Sequence, residues 1–419
     1  MERFIINGGQ KLSGEISVNG AKNAALKILA ACLLTDKSWT ISNVPQIEDV
    51  FRLIELLRGL GVEIKNTSKG VYQLKAKKIN AKNLDFDIAS QLKGSILMAG
   101  PLLARCGEAN FCQSGGCMIG QRPRNIFLDG FKSFGVKIEN NNNGYYLSAK
   151  QLKGTKIVFP LISVTATETM ILTAVLAKGK TILINSACEP EIVFLSDFLN
   201  QCGAKIKGAG TSSIQIEGVK SLKEGKCRIM PDRIEAGSFV ILGAASNSSI
   251  KVINMDPSHL EVLWAILKKV GVNLEIGKNF VKVKPGFKLK SVNLKTREYP
   301  GYPTDLQAPF TVLMTQADGF SLIHETIFEG RLFYTDMLNQ MGANIIMADP
   351  HRVIVQGPTK LHASRLISPD IRAGIALVIA ALIAKGQSVI ENVYQIDRGY
   401  EEIENRFQKL GADIKRIKD

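Results

Sequence analysis

Six stretches of the chain are almost wholly apolar on every side: AKNAALKILAACLL, QLKGSILMAGPLLARC, ATETMILTAVLAKG, RIEAGSFVILGAAS, DLQAPFTVLMTQADG and DIRAGIALVIAALIAKG. A helix with no polar face has no solvent side, so each is expected to be a buried helix. Short β-branched runs follow, such as WTISNV, TILINSA, IKVINM and SVIENV, and these read as strands. A polar loop comes next, then an amphipathic helix. In IEDVFRLIELLRGLG the positions Ile47, Val50, Ile54 and Leu57 form one apolar stripe with charges opposite. A glycine closes that helix, and an antiparallel hairpin is expected after it, as in GVEIKNTSKGVYQLKA.

The whole plan recurs. The helix-ending glycine appears at Gly61, Gly135, Gly203, Gly271, Gly342 and Gly411, a period of about 70 residues. The last copy breaks off after ADIKRIKD, a single strand. Two strands at the other end, in RFIING and GEISVNG, belong to no copy. Residues 1 to about 20 are therefore expected to cross over and complete the C-terminal half, with a second crossing near Lys226 to Pro231. This predicts two lobes of three copies each: residues 21–229, and residues 1–20 plus 230–419. The expected ligand site is a cleft between them.

Composition narrows the class. The chain has 419 residues, 45% hydrophobic and 22% charged, which suits two globular domains. The N-terminus lacks the apolar region of a signal peptide, and the longest apolar run, Ala373 to Ala384, is short of the roughly 20 residues that span a bilayer. A soluble cytoplasmic protein is expected, without a membrane partner. The seven cysteines include no CxxC pair and the four histidines have no metal spacing, which argues against a disulfide framework or a zinc site. The net charge of +15 is spread along the chain without an aromatic RNA-binding motif, so small anionic substrates are preferred to nucleic acid.

Candidate chemistry collects where helices begin, because helix N-termini attract anions. First-helix starts carry Lys22 and Asn23, Lys93, Ser163 to Thr167, Asp232 and Arg233, Thr304 and Asp305, and Asp370 with Arg372. Second-helix starts carry Cys117 with Arg122, Glu189 with Glu191, Glu329 with Arg331, and Asp397 with Arg398. Ser163, Asp232, Asp305 and Asp370 have a plainer reading as N-caps. Capping does not explain Lys22, Arg331, Arg372 or Arg398, because a cation is unfavourable at a helix start unless an anion lies near; Asp370 and Asp397 are close in sequence. In the stretch SGGCMIGQRP, Cys117 sits on a glycine-rich loop with Arg122, and an arginine beside a thiol can lower its pKa and can hold an anion. Its two readings are a reactive cysteine beside a phosphate or carboxylate, and a small residue in a turn.

Taken together, GAKNAAL from Gly20, GGCxIGxRP from Gly115, EPEIV from Glu189, PDRIE from Pro231, PTDLQA from Pro303, FExR from Phe328 and IDRGYE from Ile396 resemble the enolpyruvyl transferase family, in order and over the whole chain. The resemblance is strongest to the peptidoglycan branch. It implies an α/β fold, a two-lobed inside-out α/β barrel of six βαβαββ-type repeats, three per lobe. It implies transfer of the enolpyruvyl group of phosphoenolpyruvate to the 3-hydroxyl of UDP-N-acetylglucosamine, with release of phosphate. Cys117 would protonate the enol methylene carbon and could form a covalent adduct. Asp305 would take or orient the sugar hydroxyl proton. Lys22, Arg122 and Arg398 would clamp phosphoenolpyruvate. Asn23, Asp232, Asp370 and Arg372 would line the reaction site. Arg122, Pro123, Arg124, Asn125 and Ile126, with Ser163, Val164, Thr165 and Ile327, would contact the nucleotide sugar, and Lys93, Glu329 and Arg331 complete the substrate-binding set. No metal or other cofactor is implied, since the cations are side chains. Departures from the family pattern fall on the acceptor side: Lys93 for an arginine, Asn125 and Phe127 for an acid and a histidine, Gly330 for an asparagine. They leave open a different nucleotide or phosphorylated acceptor, or a UDP-sugar-binding relative without turnover.

Overall fold

In the computed structural model the described residues are 2–112, 125–141 and 144–418. They form a mixed α/β fold whose contacts divide it into two compact units, one built from residues 20–230 and the other from residues 2–19 and 231–418. Among the described residues no helix is long and apolar enough to cross a membrane.

In the first unit the apolar stretches become helices Lys22–Ala31, Ala99–Cys106 and Val164–Ala174, with the 3-10 helix Lys93–Met98 leading into the second. The helices pack on one another as the inner layer. A β-carbon at Gly100 would stand 2.5 Å from Thr173 Oγ1 and 2.9 Å from the Thr169 carbonyl, so only glycine allows that crossing. Three small sheets cover the helices. In the first, Gly225–Arg228 runs parallel to Ser38–Ser42, which pairs antiparallel with Val71–Lys75, itself paired with Glu63–Ser68. The third has the same order in Lys156–Val158, Lys180–Ile184, Ser213–Glu217 and Lys205–Lys207. The second, Glu108–Cys112, Gly144–Ser148 and Lys137–Asn141, has only the antiparallel strands.

The second unit repeats the scheme around helices Arg233–Ala245, Gln307–Met314 and Ile371–Ile383. Every residue of Arg233–Ala245 is buried, as its lack of a polar face requires. The N-terminal strands belong here. Arg3–Gly8 lies between Gly386–Glu391 and Asp413–Ile417, antiparallel to both, and Ser13–Ser17 runs parallel to Ser249–Ile253. Hydrogen-bonded register thus fixes the ends of the chain into one unit.

Among the described residues no sheet closes into a barrel. Each of the six sheets formed by the described residues is open, because three or four strands are too few to curl back onto their own edge. Two local devices set the geometry. Gly61, Gly135, Gly203, Gly271, Gly342 and Gly411 all hold φ between 86° and 101°, the left-handed turn that ends a helix. Asn43, Asn185, Asn254 and Asn392, each just after a strand, also hold positive φ. Their side-chain amides donate to the carbonyls of Ile229, Phe159, Val18 and Ser368, tying each loop to a neighbouring chain segment.

Candidate active site

The residues proposed for chemistry divide between the two units. In the first, Lys22 opens its helix after Ala21, which has no side chain to cap it. Lys22 is buried, and its Nζ lies 2.6 Å from Asp49 Oδ2, in the first turn of helix Glu48–Gly59. Asp49 is therefore a carboxylate that helps a cation occupy this helix start. Asn23 is half-buried beside it. Ser163 is an N-cap: its Oγ accepts from Ala166 N–H at 3.3 Å, which leaves Val164 and Thr165 half-buried in the first turn. Lys93 begins a 3-10 helix and is half-buried. Asn125 and Ile126 begin helix Asn125–Ser133, the first exposed and the second buried. Cys117, Arg122, Pro123 and Arg124 lie outside the described residues.

One turn deeper in the same unit, Lys27 Nζ is 3.4 Å from Glu168 Oε2, both side chains being buried. Burial pushes the Glu168 carboxyl up to about 8; Lys27 opposes the shift, while Glu191 and Glu189 add to it. Glu189 precedes helix Pro190–Gln201 without capping it, and Glu191 sits buried in its first turn.

In the second unit the structure separates the other three expected caps. Asp232 Oδ1 accepts from the N–H groups of Ile234 and Glu235 at 2.8 and 3.1 Å. Asp370 Oδ1 accepts from those of Arg372 and Ala373 at 2.8 and 3.1 Å. Asp305 caps nothing. It lies between two guanidiniums, with Arg331 Nη1 2.9 Å from Oδ1 and Arg372 Nη2 2.9 Å from Oδ2. Burial alone would raise this carboxyl; Arg372 and then Arg331 reverse the effect and hold it well below the usual carboxylate range. Its side chain remains 24% exposed, so the ionised carboxylate is within reach of a ligand. Arg331 and Arg372 are nearly covered; Arg372 stands in the first turn of helix Ile371–Ile383, whereas Arg331 lies in a turn before helix Thr335–Gln340 rather than at its start, and Asp305 supplies an anion to both.

Tyr400 extends this cluster. Arg372 Nη1 donates to Tyr400 Oη at 3.4 Å, and Tyr400 Oη is 3.1 Å from Ser238 Oγ. Burial pushes the Tyr400 phenol up to about 12, so it stays protonated as a hydrogen-bonding partner. The negative charge of Asp232 also acts on Arg372. Glu325, fully buried, shapes the segment that follows: its carboxylate accepts from Thr304 Oγ1 at 2.8 Å and from the N–H groups of Ile327 and Phe328 at 2.8 and 3.3 Å. Ile327 is thereby fixed half-buried, while Glu329 is exposed. Arg398 Nη1 donates to Gln395 Oε1 at 3.0 Å. Asp397, close to Arg398 in sequence, pairs instead with Arg416.

Sequence reasoning passed over Asp49, Glu325, Tyr400 and Arg416. Asp49 and Glu325 carried a signal, an acid at a helix start and an acid ending an alternating strand. Tyr400 stood inside the IDRGYE stretch, and Arg416 carried no signal that distinguishes it from surface residues. The arrangement in the second unit, one ionised carboxylate under two fixed guanidiniums, carries an excess positive charge and suits an anionic ligand bearing a hydroxyl or enol oxygen. Among the described residues no group of three or more His, Cys, Asp or Glu is placed to hold a metal ion.

Comparison with known proteins gives the same direction. The family model described as EPSP synthase (3-phosphoshikimate 1-carboxyvinyltransferase) matches residues 6–407. A UDP-N-acetylglucosamine 1-carboxyvinyltransferase of Desulfosudis oleivorans is 42% identical over 417 residues, covering 100% of both chains. One from Koribacter versatilis is 42% identical over 420 residues, covering 100% of this chain and 97% of its own. Among solved structures, the enolpyruvyl transferase NikO from Streptomyces tendae superimposes with a TM-score of 0.89 at 24% identity, over 99% of each chain. EPSP synthase from Acinetobacter baumannii gives 0.76 at 17% identity over 100% of each. With a family match across nearly its whole length and relatives aligned from end to end, the chain belongs to the EPSP synthase family of enolpyruvyl transferases.

Proposed function

We propose that this protein transfers the enolpyruvyl group of phosphoenolpyruvate to the 3-hydroxyl of UDP-N-acetylglucosamine, a cytoplasmic step that commits material to peptidoglycan. The end-to-end identity with relatives bearing the name of that activity supports the choice of acceptor. The observation that carries the chemistry is the Asp305 carboxylate held ionised by Arg331 and Arg372.

In the first half of the reaction the sugar 3-oxygen bonds to C2 of phosphoenolpyruvate while C3 gains a proton. In the second, phosphate leaves C2 and C3 loses a proton, which restores the double bond. Cys117 is the proton donor to C3 and the site of any covalent adduct. Lys22, Arg122 and Arg398 hold the phosphate and carboxylate of phosphoenolpyruvate. Asp305 orients the attacking hydroxyl. In the pair of guanidiniums it is a weak base; an anionic substrate group that draws one of them away raises its basicity when the proton must move. Asp232, Asp370 and Arg372, with Asn23, line the reacting centre. Lys93, Ser163 to Thr165, Arg122 to Ile126, Ile327, Glu329 and Arg331 contact the substrates. The same reading takes the six sheets as six copies of one βαβαββ-type unit, in two inside-out lobes formed by residues 21–229 and by residues 1–20 plus 230–419.

The test is phosphate release from phosphoenolpyruvate. The expected result is release only when UDP-N-acetylglucosamine is present, abolished or greatly slowed by Cys117→Ala. Release with another nucleotide or phosphorylated acceptor and none with this one would move the acceptor assignment. Tight UDP-sugar binding with no release from any acceptor would remove the enzymatic reading.

A further inference from the structure

The helix that precedes Arg398, Tyr394–Asp397, is a single turn. One turn has too few internal hydrogen bonds to hold itself, so its geometry comes from what it is tied to. Ile396 is fully buried and anchors one side. The other side is held by Asp397, whose two carboxylate oxygens accept from Arg416 Nη1 at 2.8 Å and Nη2 at 2.7 Å. Arg416 stands on strand Asp413–Ile417 and is itself fixed by other groups. Its Nε and Nη2 donate to Glu404 at 2.6 and 3.0 Å, its Nη1 donates to Glu2 at 2.6 Å, and its guanidinium lies 4.9 Å from the centre of the Phe4 ring.

Two consequences follow for Arg398. Asp397 and Arg398 are consecutive, so locking the Asp397 side chain fixes the peptide from which the Arg398 side chain departs. Asp397 is also the carboxylate nearest to Arg398 in sequence, and both of its oxygens are engaged by Arg416. A planar fork bound to a carboxylate in two places fixes orientation as well as distance, which a lysine cannot do.

We propose that Arg416 is a positioning residue for phosphoenolpyruvate binding, acting through Asp397 to set Arg398. This rests on the reading of Arg398 as a phosphoenolpyruvate contact. Steady-state kinetics on the full chain test it, with melting temperatures for every variant. Arg398→Ala, Arg416→Met and Asp397→Asn are each expected to raise the phosphoenolpyruvate KM about tenfold while the UDP-N-acetylglucosamine KM stays within about twofold. Arg416→Lys is expected not to restore it, and the Asp397→Asn/Arg416→Met double variant to be no worse than the singles, since both remove one contact. Glu404→Gln weakens the hold on the same guanidinium without touching the turn. It is expected to lower the melting temperature and leave the phosphoenolpyruvate KM within about twofold.

A folded Arg416→Met with unchanged phosphoenolpyruvate KM overturns the proposal. So does an equal KM rise in Glu404→Gln and Asp397→Asn, which would mark a structural role alone. If Arg416→Met does not fold, Asp397→Asn decides between the same outcomes. An unchanged KM in Arg398→Ala overturns the underlying reading of Arg398, and the proposal with it.

Discussion

Lys22 Nζ lies 2.6 Å from Asp49 Oδ2, with each side chain no more than a tenth exposed. A cation at the start of a helix faces the positive end of the helix dipole, and burial takes away the water that would offset this. Asp49 supplies part of what the helix start lacks. Asp49→Asn is expected to destabilise the protein by roughly 3 kcal/mol, because it removes the carboxylate charge beside a buried cation. Lys22→Met in the same chain should recover part of that loss. Denaturant unfolding of the two singles and the double decides; strictly additive losses would mean the pair does not act as one.

Asp305 ties acid stability to the candidate site. Its folded-state carboxyl is depressed below the ordinary value of 3.8. For a depressed acid the unfolded chain binds the proton first, so the contribution to stability is complete above the ordinary value and is lost as pH falls toward the folded one. The stability gap between the native protein and Asp305→Asn is therefore expected to be largest near neutrality and to shrink below pH 3.8. Turnover in the variant should fall at least about a hundredfold. A gap independent of pH would show that Asp305 is not held ionised.

Glu168 works in the opposite sense. Burial raises its carboxyl from 4.5 to about 8, so the folded protein binds a proton there that the unfolded chain has released. Stability is then expected to decline as pH rises from 4.5 to about 8. In the Lys27→Met/Glu168→Gln variant, which removes both members of the buried pair, that part of the slope should disappear. Chemical unfolding at several pH values measures it, and an unchanged slope would place its origin elsewhere.

Thiol chemistry should be selective. Burial pushes Cys32 and Cys227 up to about 12 and Cys202 up to about 11, and it raises Cys106, Cys112 and Cys188 as well. A thiol with a raised pKa is a poor nucleophile near neutral pH, and this holds for Cys106 too although it is exposed. Inactivation by an epoxide phosphonate such as fosfomycin is expected to place the modification on the peptide carrying Cys117, and phosphoenolpyruvate analogues should slow it. Mass spectrometry of the inactivated protein decides, and modification at any other cysteine would displace Cys117 from its proposed role.

Much of this was legible in the order of residues. An almost wholly apolar run such as RIEAGSFVILGAAS has only one stable place, a buried helix, and its helix Arg233–Ala245 is buried throughout. The glycines at Gly61 and its five counterparts marked helix ends because a left-handed residue is cheapest without a side chain. The asparagines at Asn43, Asn185, Asn254 and Asn392 stood at matching places after strands, yet their meaning depended on carbonyls far away in sequence.

What the sequence alone determined is the inventory: which helices are buried, where they stop, and that Lys22 and Arg372 stand at helix starts; Arg398 instead follows the single turn Tyr394–Asp397, and Arg331 lies in a turn before helix Thr335–Gln340. It could not say which carboxylate serves which cation. Asp232, Asp305 and Asp370 all stood at helix starts, yet two cap their helices and one lies between two arginines. Asp397 was near Arg398 in sequence and went to Arg416, while Arg372 took Asp305. Periodicity is local and survives in the order of residues. Ion pairing depends on distances of a few ångströms between segments tens to hundreds of residues apart, and only the folded chain sets those distances.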